Sequence, residues 1–451
     1  MSETSTLPPT GSRITHRRVL RLALPIMLSN LSVPLVGVVD TAVMGRLPGA
    51  AQIGAVALGA TVFSFLFWGF GFLRMGTTGL IAQAQGAART EALRALLLQL
   101  MATAFVLGVA IIFARAWIGE LVQWAFPATA EVERALAIYY GIRVWSAPAV
   151  LANYVLMGVF VGLQRTGFAL LAQLTLNLAN AGLSVWFVLG LDAGIAGVAR
   201  ASVLAEWLAL AVGLLALARA LRPWPGAWPW ARLLALSDYR RLFGVNGDIF
   251  LRTLFLISGF AWFNARSAAQ GEWILAANAV LLQLINVLAY GLDGFSHAAE
   301  ALVGQARGAR RRDDYRAAIR IATQWALGVA CAIALFYVLA GDRLVAALTV
   351  DARVRSLAAG FLPWIWIAPV VAVWCYLLDG IYIGILRTGT MRDSTLIALL
   401  VLLAVSWPAQ AWFGNHGLWA ALMTFYLARA ATLAAGLFRW PLDWEHAPAS
   451  R

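Results

Sequence analysis

Twelve apolar runs, each longer than the ~18 residues that cross a bilayer as a helix, decide what this chain can be. They fall at about 19–45, 52–84, 92–117, 132–162, 166–190 and 194–219, and then at about 241–265, 272–305, 316–340, 356–385, 393–414 and 416–438. In hydrocarbon every backbone N–H and C=O must find a partner inside the protein, so runs of this length dictate helices. The expected fold class is an all-α polytopic membrane protein with twelve transmembrane helices. The composition agrees: 62% hydrophobic and 12% charged, against roughly 45–50% and 25% for a soluble domain. The run after the first eighteen residues is too long for a signal-peptide core and reads as a retained helix.

A net charge of +13 raises the question of nucleic acid, and the placement of the charge answers it. All 34 basic residues are arginine; there is no lysine for a phosphate-binding loop or a Schiff base. With a cytoplasmic amino terminus, 22 arginines fall on the inner side, seven on the outer side and five within helices. This bias predicts both termini in the cytoplasm, makes the charge a topology signal and excludes a nucleic-acid partner. The loop from Arg307 to Arg320 is the strongest inner anchor, facing anionic membrane lipid.

The chain repeats itself. Gly158-x-x-x-Gly162-x-x-Arg165-Thr166-Gly167 returns as Gly380-x-x-x-Gly384-x-x-Arg387-Thr388-Gly389, and the stretch Leu80–Ala87 returns as Leu302–Ala309, both at an offset of 222. Each copy holds an even number of helices, so both run the same way through the membrane. Two pseudo-symmetric six-helix lobes with a cleft between them are expected. The segments are a cytoplasmic tail at 1–18, an amino-terminal lobe at 19–222, a Pro/Trp-rich linker at 223–240, a carboxy-terminal lobe at 241–438 and a cytoplasmic tail at 439–451.

Polar residues inside such helices are expensive, about 2.5–3.5 kcal/mol for an acid at the helix centre, and therefore mark function. The first helix carries Asp40 together with Pro25 and Pro34, two positions where it can bend. In the fifth, Gln173, Asn177, Asn180 and Ser184 are spaced i, i+4, i+7 and i+11, one polar stripe that either lines a cavity or ties helices together. The eighth gathers Asn278, Gln283, Asn286, Tyr290, Asp293, His297 and Glu300 in one arc, and the tenth adds Asp379. Asp248 and Arg252, at i and i+4, are expected to pair with each other, and Glu206 with Arg143 or Arg200. Cys331 and Cys375 fall in apolar runs and are expected as small core residues. The four histidines are scattered, and no metal-ligand spacing, nucleophile motif or nucleotide-binding loop is present; an enzyme, a metal site and an organic cofactor are not expected.

The Asp-bearing first helix, the run LIAQAQGA, the paired GxxxGxxRTG motifs and the string LAYGLDGFSHAAEALVGQARGA together resemble the multidrug and toxic compound extrusion (MATE) family, in its branch of DNA-damage-inducible protein F type. The resemblance spans about Arg18 to Arg439. It implies a rocking exchange between outward-open and inward-open forms in a bacterial inner membrane, exporting amphipathic, often cationic drugs in exchange for protons or sodium ions. By it, Asp40 is the acid that takes up the coupling ion and Pro25 the bending point, with Asn177, Asn180 and Ser202 as polar neighbours. Asn286 and His297 lie on the carboxy-lobe polar face with Asp293, Glu300 and Asp379, which match family carboxylates. Where many members of the branch carry an aspartate in the fifth helix, this chain has Ser184. A sodium site wants several oxygen ligands with carboxylate charge, so the loss favours protons. The expectation is a monomeric drug/proton antiporter, with a lipid or lipid-precursor flippase as the alternative. A flippase for anionic head groups should line its cleft with arginines.

Overall fold

The computed structural model describes residues 13–46, 49–439 and 444; the side chains of 33–38, 40, 41, 236 and 241, Pro34 and Asp40 among them, lie outside the description. The described residues are almost wholly helical, with no strand. The order is α1 (His16–Met44), α2 (Ala50–Trp68), α3 (Phe72–Gly86), α4 (Thr90–Phe113), α5 (Arg115–Ala125), α6 (Ala130–Arg143), α7 (Ala147–Gly162), α8 (Thr166–Val185) and α9 (Gly194–Ala220). Then come α10 (Leu236–Ala268), α11 (Glu272–Gly308), α12 (Arg312–Leu348), α13 (Ala352–Ile385), α14 (Thr388–Phe413) and α15 (Asn415–Arg439). Eleven helical runs among the described residues are long and apolar enough to cross a bilayer. With α1 they make the expected twelve.

The chain divides into two compact units, one from Leu28 to Leu242 and one from Phe243 onward that also takes in α1 up to Met27. In this second unit Arg18 donates to Gln305 of α11 over 2.7 Å, and Gly294 of α11 packs against Ala23 and Met27. In the first unit the linker is fastened down by Arg94, whose Nε and Nη2 both donate to the Trp224 carbonyl at 3.1 and 2.9 Å.

The repeat is built into the backbone. Left-handed φ values occur at Gly49 and Gly271, Ala88 and Arg310, Gln164 and Leu386, and Asp192 and Gly414, each pair 222 apart. The helix ends close alike: Arg89 N–H reaches the Ala84 carbonyl and Arg311 N–H that of Ala306, while Arg165 reaches Phe160 and Arg387 reaches Tyr382. These bonds from just past a helix back across its last turn satisfy otherwise orphaned carbonyls. The GxxxG glycines serve the same contact twice. Gly158 and Gly162 lie against the carbonyls of Arg74 and Thr78 on α3, and Gly380 and Gly384 against those of Ser296 and Glu300 on α11, again 222 apart.

The copies differ where the first unit breaks its helices. Residues 50–86 and 130–162 each form two helices there, while α11 and α13 run through. Pro148 has no N–H to give to the Val144 carbonyl, and the chain from Val144 to Ser146 tightens into a 3-10 turn. A π-helical turn at Trp186–Gly190 extends α8; its repeat mate in α14 is the site of Pro408.

Candidate functional site

In the first unit the polar stripe of α8 ties that helix to two neighbours. Asn177 donates to Ser32 Oγ of α1 over 2.5 Å and accepts from Gln173 over 3.1 Å. One turn on, Asn180 donates to Ser202 Oγ of α9 over 2.9 Å. Another turn on, Ser184 is 1% exposed, and its hydroxyl has no partner among the described residues. The row of amides and hydroxyls thus leads from a satisfied end to an open one. Asp40, eight residues beyond Ser32 in α1, lies outside the described side chains, as does Pro34; Pro25 is half-buried inside the unbroken α1. The matching place in the second unit is described: Trp262, 222 residues after Asp40, donates to Ser406, 222 after Ser184, over 2.9 Å.

A second buried group in the first unit surrounds Glu206 of α9. Asn153 of α7 donates to its Oε2 over 3.0 Å and to its backbone carbonyl over 3.1 Å, and Arg143 stands 3.9 Å from Oε1. Arg143 is therefore the partner, and Arg200 is exposed.

In the second unit the arc along α11 separates into parts. Asn278, at its start, is fully buried, donating to Ser267 and Asn415 over 2.8 Å each and accepting from Trp419 over 2.9 Å, so it knots helices together. Asn286 is exposed and Asp293 half-buried. His297 Nδ1 lies 3.1 Å from Oε2 of Glu300, whose side chain is 0% exposed and whose Oε1 has no hydrogen-bond partner among the described residues. Asp379 stands in a separate group. Its Oδ2 accepts from Arg429 of α15 over 2.5 Å and from Arg252 of α10.

That arrangement corrects the expected Asp248–Arg252 pair. Arg252 is buried and turns to the buried Asp379, while Asp248, nearer the helix end, takes Arg392 at 2.6 Å and the Thr388 hydroxyl at 2.9 Å. A guanidinium held away from water gains more from a desolvated carboxylate than from a neighbour on its own helix surface. Sequence reasoning missed the Arg252–Asp379–Arg429 group, and the signal available was each arginine's isolation within an apolar run. No cluster of three or more His, Cys, Asp or Glu among the described residues is arranged to hold a metal.

Comparison with known proteins fits this geometry. A family model described as MatE matches twice, over residues 25–186 and 249–407, one match per repeat. The chain is 40% identical over 432 residues to DNA damage-inducible protein F of Escherichia coli, covering 96% of this chain and 93% of that one. It is 25% identical over 461 residues to multidrug resistance protein MdtK of Edwardsiella ictaluri, covering 95% and 97%. Among solved structures, the Vibrio cholerae MATE transporter VcmN, crystallised as a point mutant, superposes with a TM-score of 0.86 at 19% identity, covering 94% of this chain and 98% of that one. At that identity the likeness is one of fold.

Proposed function

The chain belongs to the MatE family of multidrug efflux transporters, which are not enzymes, and from that premise we propose that it exports amphipathic cations in exchange for protons by alternating access. Asp40 is the exchanging acid. As a carboxylate it holds the cation; once it takes up a proton from the outer side, that attraction is gone and the drug leaves. Pro25 and Pro34, each without an N–H to bond one turn back, are where α1 bends as the carboxyl group changes state. Because proton and drug compete for one group, each weakens the other's binding by the same factor.

The observation that carries this reading is the row Asn177, Asn180, Ser202 and Ser184. It is a run of amides and hydroxyls without a cationic side chain, and it ends on an open buried hydroxyl at the place whose repeat mate, Ser406, partners the mate of Asp40. Ser184 adds an oxygen but no charge, which favours a proton over sodium as the coupling ion. On the carboxy-lobe face, Asn286, Asp293, His297 and Glu300 are the second polar surface, and Asp379 is already neutralised by arginine. The acting unit in this reading is a monomer in a bacterial inner membrane with both termini cytoplasmic, which the threefold arginine bias supports.

The test is uptake of a fluorescent cation into everted vesicles under an imposed proton gradient and, separately, an imposed sodium gradient. The proton gradient should drive uptake, and Asp40→Asn should abolish it at unchanged membrane expression. Unimpaired uptake in that variant sinks the mechanism; uptake driven by sodium alone sinks the proton assignment.

A further inference from the structure

Two buried arginines in the carboxy-terminal unit share one carboxylate. Arg252 and Arg429 each donate through Nη2 to the same oxygen, Oδ2 of Asp379. The three residues are 7%, 2% and 6% exposed. Two guanidinium groups against one carboxylate leave the group with one positive charge in excess.

The hydrogen bonding of this group is also incomplete. Arg252 Nε, Arg429 Nε and the hydroxyl of Tyr426, itself 1% exposed, are buried with no partner among the described residues, as is Asp379 Oδ1. The side chains acting electrostatically on Arg429 include, after Asp379, Cys375, Tyr376 and Tyr426, which carry no charge at neutral pH.

An uncompensated cation inside a membrane-spanning bundle is costly, and a buried donor without an acceptor adds to that cost. One ligand would relieve both. An anion accepting from the two Nε–H groups and from the Tyr426 hydroxyl would bring the cluster to neutrality and satisfy all three donors. Guanidinium suits the task because it stays charged and presents its donors in a fixed plane. A dianion would overshoot neutrality, so a single charge fits.

We propose that the carboxy-terminal unit binds a monovalent anion, either a halide or the carboxylate of a small acid, at Arg252, Arg429 and Tyr426. The site lies in the other unit from Asp40 and stands or falls independently of the antiport reading.

The experiment uses the full chain purified in detergent. Its melting temperature is followed while sodium chloride, bromide, acetate or formate replaces sodium isethionate, a bulky sulfonate that is neither halide nor carboxylate, at constant ionic strength. The wild type should show a saturable rise with a defined half-saturating concentration. Arg252→Gln and Arg429→Gln each leave one arginine opposite Asp379, a neutral pair, and should lose the saturable rise. Tyr426→Phe keeps the charge, removes one donor and should raise the half-saturating concentration about tenfold, the equivalent of roughly 1.4 kcal/mol. A response to chloride and bromide alone assigns the halide; a response to acetate and formate assigns the carboxylate. A wild type indifferent to the replacing anion overturns the proposal, as does a response that survives unchanged in whichever of the three variants fold.

Discussion

Two glycines on α13 should respond with opposite sign to the same substitution. At Gly360 a built Cβ meets nothing within 4 Å, whereas at Gly384 it meets the Glu300 carbonyl oxygen at 2.6 Å, the Gly304 nitrogen at 3.0 Å and Val303 Cγ1 at 3.2 Å. Two of those three atoms are backbone of α11 and cannot turn aside. The closest is about 0.8 Å short of ordinary contact, so α11 and α13 must move apart. Overpacking of that kind costs about 1–3 kcal/mol. Replacing glycine by alanine gains at most about 1 kcal/mol of helix propensity at either site. The propensity term cancels in the comparison, and Gly384→Ala should be the less stable variant by about 1–3 kcal/mol. The measurement is thermal unfolding of both proteins in one detergent, with size-exclusion profiles after a heat step. Equal shifts for the two variants would refute the close approach of α11 and α13 and, with it, the packing role of the repeated GxxxG motif. Gly162→Ala, with Thr78 O at 2.9 Å and Ile81 Cβ at 3.0 Å, should follow Gly384→Ala at a smaller cost.

Asn177→Ala removes the bond from α8 to Ser32 of α1; efflux should fall several-fold, while stability changes by only about 0.6–2 kcal/mol, as for other amide bonds between membrane helices. A melting-temperature loss as large as that of a buried-charge variant would make the residue structural instead. Asp248→Ala breaks a pair whose side chains are 23% and 35% exposed and should cost under about 1 kcal/mol, with a smaller effect at high salt. Asp379→Ala strands two buried guanidinium groups and should cost about 3–5 kcal/mol, read in the same unfolding assay.

The spans were legible because hydrocarbon allows so few backbone solutions: every run from 52–84 to 416–438 is matched by a helical run long enough to cross the bilayer. The repeat was legible because glycine spacing and the RTG turn recur in sequence, and the structure finds the same carbonyls facing those glycines in both units. Partner choice was less legible. Spacing on a helix put Asp248 beside Arg252, but a charge in an apolar environment is governed by which opposite charge is equally desolvated, and that depends on helices distant in sequence. The arc drawn along α11 likewise could not separate Asn278, buried in a knot with Asn415 and Trp419, from Asn286, exposed two turns later.

Comparing identities across the repeat also conceals chemistry that is reciprocal. Arg143, at the end of α6, meets Glu206 of α9; the offset carries the α6–α7 segment onto α13 and α9 onto α15, where Asp379 meets Arg429. The corresponding helices are thus tied by an ion pair in each unit, with the signs exchanged. Tyr154 lies in the field of the first pair and its mate Tyr376 in the field of Arg429. If the pair in the first unit is a tie of this kind, its members should be strongly coupled. Their side chains are 15% and 10% exposed and 3.9 Å apart. Glu206→Gln should leave Arg143 uncompensated and Arg143→Gln should do the same to Glu206, each at about 3–5 kcal/mol, whereas the double variant, with both charges gone, should recover at least half of the combined loss. Additive losses in that cycle would mean that the two charges are held by other groups, and the likeness of the two ties would then be positional only.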